Sequence, residues 1–193
     1  MSVSADKARP IVVLGAGVLG RRIAAVFLAG GYTVHIRDPS AEALEEASTF
    51  IQDNFATFVG LTPSPSSAAS VTTALRTFTE IPEAVQNAWM VVEAVPEKLE
   101  LKIETLATLD QHTPVDCVFA SNSSSFKSGL MVEKIGNERR EKTLNAHFTM
   151  PPFIRTVELM TDGVTKMEVL KVLSDVLREC GMIPVTAKRE STG

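Results

Sequence analysis

Apolar residues recur along this chain in two alternating patterns. Short apolar runs at Ile11–Leu14, Thr33–Ile36, Leu75–Phe78, Met90–Val92, Val115–Ala120, Leu144–Phe148 and Ile183–Val185 are compact enough for strands buried on both faces. Between them the apolar positions take helical spacing: Leu19, Ile23, Val26 and Phe27; Leu44, Ala47, Ile51 and Phe55; Leu99, Ile103 and Leu106; Leu170, Leu173, Val176 and Leu177. This alternation predicts an α/β fold, a doubly wound, mostly parallel sheet with helices on both faces. The last helix runs into Cys180-Gly181, where glycine can take the left-handed conformation that ends a helix. Residues 62–70, rich in proline and serine, read as a surface loop rather than a domain boundary.

A length of 193 residues suits one compact domain and leaves no room for a second full one. The net charge is −4 with both signs interspersed, so neither a nucleic-acid face nor a polybasic membrane patch is expected. Cys117 and Cys180 stand far apart without metal-ligand spacing; they read as reduced, buried small hydrophobes, and no metal site is expected. MSVSADKARP lacks the apolar run of a signal peptide, and no segment reaches the roughly 18 apolar residues of a membrane span. A cytoplasmic protein is the default expectation, with small molecules and protein as its partners.

Gly15-Ala16-Gly17-Val18-Leu19-Gly20 matches G-x-G-x-x-G directly after an apolar strand and at the start of a helical stripe. In a Rossmann-type fold the first glycine makes the tight turn, the second admits a pyrophosphate, and the third lets helix and strand pack closely. Val18 and Leu19 open the helix whose N–H groups would face the phosphates. Asp38 follows the second strand, eighteen residues after Gly20, where a carboxylate can bind adenosine ribose hydroxyls and repel a 2′-phosphate. A capping role for Asp38 ahead of Pro39 is compatible with this. Arg37 could accommodate the extra phosphate of NADP, but NAD is the better match.

His147 closes an apolar strand, and an imidazole is the side-chain type suited to act as the base for an alcohol proton near neutral pH. Glu158 is the carboxylate that could return to its second ring nitrogen. His35 and His112 have no comparable setting and read as structural. Ser121-Asn122-Ser123-Ser124-Ser125 follows a strand at the carboxyl edge, where open α/β sheets bind ligands; a helix cap would use the same residue types. Glu97 and Lys102, by themselves, are ordinary surface charges.

GAGVLG, VVEAVPE, SNSSS and HFTMPP, in this order and spacing, resemble the NAD-binding domain of the L-3-hydroxyacyl-CoA dehydrogenase family, which includes lambda-crystallin-like hydroxy-acid dehydrogenases. The resemblance runs from Pro10 to Gly193. It implies that Asp38 binds ribose, that Glu97 and Lys102 contact the cofactor with Asn122 nearby, and that Ser124 hydrogen-bonds the reacting oxygen. His147 would be the catalytic base, paired with Glu158, in NAD-dependent interconversion of 3-hydroxyacyl and 3-oxoacyl groups. The implied setting is fatty-acid metabolism, in a biosynthetic pathway.

Three departures from the family pattern stand out. Met150 replaces the usual asparagine three residues after the histidine, and the stretch from His147 to Glu158 is one residue shorter than usual. Family members also continue into a helical domain that carries a further active-site asparagine. The expected organisation is therefore a flexible N-terminus over 1–9, the NAD-binding domain over 10–187, and over 188–193 the start of a linker to a helical domain absent from this chain. An acyl-CoA or hydroxy-acid substrate is expected, with a homodimer or a partner over the face the helical domain would cover. A cofactor-binding relative without catalysis is the alternative.

Overall fold

The computed structural model describes residues 5–64 and 71–187. The elements follow in the order β1 (Ile11–Leu14), α1 (Val18–Ala29), β2 (Val34–Arg37), α2 (Ala41–Val59), α3 (Val71–Ala74), β3 (Leu75–Phe78), α4 (Ile81–Val85), β4 (Met90–Glu93), α5 (Leu99–His112), β5 (Val118–Ser121), α6 (Ser128–Met131), α7 (Asn137–Arg140), β6 (Thr143–Met150), β7 (Ile154–Met160), α8 (Met167–Glu179) and β8 (Ile183–Thr186). They build one sheet in the order β3-β2-β1-β4-β5-β6-β7-β8. β1 to β6 are mutually parallel, β7 runs antiparallel to β6, and β8 is parallel to β7. The chain reverses direction in the sheet order between β3 and β4, the topology that opens a crevice above β1 and β4.

Because successive strand residues point to opposite faces, two cores form. Val13, Val92, Ala120, Ala146 and Phe148 meet α1, α2 and α8 on one face. Val12, Leu14, Val91 and Phe119 meet α4, α5 and α6 on the other. Phe148 of β6 packs edge-on against Phe27 of α1 with ring centroids 6.0 Å apart, which ties the sixth strand to the helix of the glycine motif.

The predicted strands and long helices are present, with instructive differences. Burial on both faces holds for β1, β4 and β5, whereas β2, β3 and β8 are only partly covered. The fifth strand begins at Val118 rather than Val115, since the Cys117 amide closes a turn onto the Pro114 carbonyl. β7 is a strand the apolar runs do not mark: Val157 and Leu159 point inward while Thr156 and Glu158 alternate with them, so no continuous run exists.

Residues 5–9, expected to be flexible, are anchored. Arg9 makes two hydrogen bonds to Asp116, at 2.7 and 3.0 Å, and a third to the Ala88 carbonyl, while Lys7 pairs with Glu179. Gly181 has φ +79° and ends α8 as expected; a Cβ there would lie 2.3 Å from the Leu61 carbonyl oxygen. Both cysteines are free and buried, and burial pushes the Cys117 thiol up to about 12. No described helix is long and apolar enough to cross a membrane. Residues 1–4, most of the predicted 62–70 loop and the expected linker at 188–193 lie outside the described residues.

Candidate active site

The glycine turn has a different constraint at each position. Gly15 has φ +104°, and a Cβ there would sit 2.5 Å from the Ala94 carbonyl oxygen, so a side chain fails on both conformation and space. At Gly20 a Cβ would fall 1.8 Å from the Gly15 carbonyl oxygen, which is how closely α1 approaches the end of β1. Gly17 has nothing within 4 Å. It is exposed, as is Val18, while Leu19 packs partly into the core. The first turn of α1 carries no acidic side chain, so its N–H groups and partial positive charge face open space.

Asp38 leaves β2 beside this turn. One carboxylate oxygen accepts from the Ala16 amide at 2.9 Å and the other from the Ser40 amide at 3.0 Å. Ser40, not Asp38, caps α2, accepting from the Ala43 amide, so Pro39 lies outside the helix. Arg37 donates Nε–H to the Thr79 carbonyl.

Beneath the crevice runs a polar row that the sequence reading did not pick out. Glu93, Ser121 and Asn145 are cross-strand neighbours on β4, β5 and β6, all on one face and at most 2% exposed. The Glu93 carboxylate accepts from Lys102 Nζ at 2.8 Å, the Val95 amide at 2.8 Å and the Ser121 hydroxyl at 2.6 Å. Lys102, expected as a surface charge or a cofactor contact, is 1% exposed. Its three N–H bonds go to Glu93, the Val95 carbonyl and Glu97, the last at 3.0 Å, so it holds Glu97 from behind.

Glu97 in turn accepts from the Ser123 hydroxyl at 2.5 Å and the Ser125 amide at 3.0 Å. Burial pushes its pKa up, but Ser123, Ser125 and Lys102 outweigh it, and the carboxyl lies below its ordinary value. Asn145 donates to the Ser123 and Phe126 carbonyls and accepts from the Ser128 amide. Asn122 accepts the Phe148 amide at 2.8 Å, joining the loop to β6 one residue past His147. Thus Ser121, Asn122 and Ser123 are braced through their side chains and Ser125 through its backbone amide, while the hydroxyls of exposed Ser124 and Ser125 make no hydrogen bond among the described residues. The cluster does not cap α6, whose N-cap is Lys127.

His147 and Glu158 face each other directly across the antiparallel β6–β7 pair, Nδ1 to Oε2 at 3.0 Å. The hairpin register therefore closes the one-residue-shorter loop without separating them. A carboxylate can only accept, so Nδ1 carries the proton and Nε2 presents a lone pair. With Glu158 half exposed, the contact adds little stability; its consequence is the ring's tautomer and orientation. His35 and His112 bond only backbone carbonyls, of Ala84 and Thr108, as a structural reading requires.

Gly15, Asp38, Glu97, Asn122 and Ser124 thus lie beyond the carboxyl ends of β1, β2, β4 and β5, and His147 lies on the part of β6 that extends past its pairing with β5. The model of the 3-hydroxyacyl-CoA dehydrogenase NAD binding domain matches residues 10–191. The chain belongs to this family. It is 29% identical over 187 residues to the mitochondrial hydroxyacyl-coenzyme A dehydrogenase of Rattus norvegicus, covering 92% of this chain and 58% of that protein. It is 30% identical over 189 residues to the L-carnitine dehydrogenase of Nocardiopsis dassonvillei, covering 97% and 56%. Among solved structures, a diketoreductase superposes with TM-score 0.86 at 28% identity, over 100% of this chain and 67% of that one. The 3-hydroxybutyryl-CoA dehydrogenase of Escherichia coli K12 gives 0.82 at 29%, over 92% and 38%. The chain spans somewhat more than half the length of the curated relatives named here.

The NAD-binding assignment fits the local chemistry: open space at Gly17, an acid-free helix start and a carboxylate at the end of β2. The polar row does not stand out in the sequence because Glu93 and Ser121 terminate apolar runs and Asn145 lies within one. Polar residues closing two consecutive buried strands, in VVE and FAS, and a third inside the next, in LNAH, were nonetheless a usable signal.

Proposed function

We propose that the chain forms the cofactor-binding and proton-transfer half of a hydroxyacyl-CoA dehydrogenase-type oxidoreductase. It would interconvert a 3-hydroxyacyl and a 3-oxoacyl group. The observation that carries this reading is the His147–Glu158 pair on the carboxyl-edge hairpin, with Nε2 free. NAD, when bound, supplies the acceptor for the hydride leaving C3. His147 Nε2 takes the hydroxyl proton, and Glu158 steadies the imidazolium that results. The unengaged Ser124 hydroxyl donates to the reacting oxygen as it becomes a carbonyl. Asp38 holds the adenosine ribose, and Glu97 and Asn122 shape the cofactor's path along the crevice. Lys102 acts through Glu97.

The similarity to an L-carnitine dehydrogenase and a diketoreductase favours a second substrate class, a small hydroxy or dicarbonyl compound free of CoA. Half-exposed Ile154, Ile183 and Val185 near the hairpin support the expected homodimer or partner on this side of the sheet. Titration with NADH and NADPH, then turnover with acetoacetyl-CoA against a free 3-oxo acid, separates the readings. His147→Gln is expected to lower kcat by about 100-fold or more with NADH affinity within twofold. Equal turnover in that variant would remove His147 as the base.

A further inference from the structure

Arg22 sits two residues past the glycine motif on α1, and among the described residues its guanidinium pairs with no acidic side chain. It lies instead between two aromatic rings, 4.8 Å from the centroid of Phe50 on α2 and 5.5 Å from that of Phe153 at the tip of the β6–β7 hairpin. One NH2 group donates to the Pro151 carbonyl at 3.2 Å. The hairpin so gripped carries His147 and Glu158, and the gripping helix carries the cofactor's glycine turn. Phe153 is 79% exposed, so the outer half of this stack does not arise from core formation. Burial and then the neighbouring Arg21 charge hold the Arg22 pKa below its ordinary value, a cost a solvent-directed arginine would avoid. A planar guanidinium stacks on rings while its edge donates in plane, which a lysine ammonium cannot do.

We infer that Arg22 is a positioning residue that, clamped between Phe50 and Phe153, fixes the His147–Glu158 hairpin to the cofactor-binding helix. The inference rests on the proposed dehydrogenase reading only for its catalytic consequence. Its mechanical content is that the hairpin tip is held by Arg22 whatever the substrate.

The test is hydrogen exchange of the 193-residue chain and of its Arg22→Gln, Arg22→Lys and Phe153→Ala variants. Arg22→Gln and Phe153→Ala are expected to speed exchange of amides in 150–156 at least tenfold, leaving α8 and β4 unchanged. Combining the two should add little to either alone, because they break one clamp. Arg22→Lys should fall between. With acetoacetyl-CoA and NADH, Arg22→Gln is expected to lower kcat about tenfold with the KM for NADH within twofold, a split that general loss of structure would not give. Unchanged exchange of 150–156 in Arg22→Gln, or fully additive effects of the two substitutions, overturns the clamp. Absence of turnover in the parent chain with the expected exchange pattern would instead count against the dehydrogenase reading and leave the clamp standing.

Discussion

Replacing Lys102 by methionine should be among the most destabilising single changes at the site. Lys102 and Glu93 are each 1% exposed and paired at 2.8 Å, so the substitution leaves a carboxylate buried without its countercharge. Breaking a buried pair from one side costs about 3–5 kcal/mol. Glu93 keeps its bonds from the Ser121 hydroxyl and the Val95 amide, which places the expected loss near the lower end, about 3 kcal/mol. The lost contact to Glu97 adds little, since that carboxylate is partly in water. Against a domain stability of roughly 5–15 kcal/mol this is large. With a urea m-value of about 2 kcal/mol/M, the midpoint should fall by about 1.5 M. The paired change Glu93→Gln with Lys102→Met removes both charges; the glutamine oxygen, in the place of Oε1, can still accept from the Val95 amide, and its NH2, in the place of Oε2, can donate to the Ser121 hydroxyl once that hydroxyl rotates. It should recover most of the loss, to within about 1 kcal/mol of the parent. Urea unfolding followed by circular dichroism measures all three proteins. A Lys102→Met midpoint within about 0.3 M of the parent, or a double variant no more stable than the single, would refute the view that the pair is an obligate buried unit.

Two further outcomes are expected. Gly20→Ala places a methyl 1.8 Å from a backbone oxygen that no rotamer can move; the strain of about 1–3 kcal/mol should outweigh the ~1 kcal/mol gain in helix propensity, lowering both stability and NADH affinity, and an equally stable variant with parental affinity would contradict the close approach of α1 to β1. Glu97 has a depressed pKa in the folded chain, so the stability it contributes is present above its ordinary value of 4.5 and is lost as pH falls through the folded value. Stability measured from pH 6 down to pH 3 should therefore drop less steeply in Glu97→Gln than in the parent.

Much of the site is local in origin, and that part was legible. The glycine turn, the acid after β2 and the Ser/Asn loop each sit at a strand end, and strand ends are written in short-range hydrophobic pattern; the histidine stands out by its residue type, inside β6. Lys102 was read as a surface charge or a cofactor contact. Its burial depends on Glu93, nine residues away at the end of β4 and outside its helix, so no helical periodicity could reveal it. Arg9 illustrates the same limit: its partner Asp116 lies 107 residues further on, and an N-terminal segment of polar composition gave no reason to expect an anchor.

The sequence by itself determined the alternation of most strands with the long helices, the place of the glycine turn and the candidates for the reactive side chains, because these follow from local periodicity and from which residues can do the chemistry. Only the tertiary structure decided that Glu158 faces His147, since that pairing is a register between two strands and one of them, β7, alternates too quietly to stand out as an apolar run. It also decided which hydroxyls in the SNSSS loop are left unengaged, those of Ser124 and Ser125, and that Arg22 reaches across to the hairpin. Contacts between elements distant in sequence are set by packing and register, and neither is encoded in the neighbours of a residue along the chain.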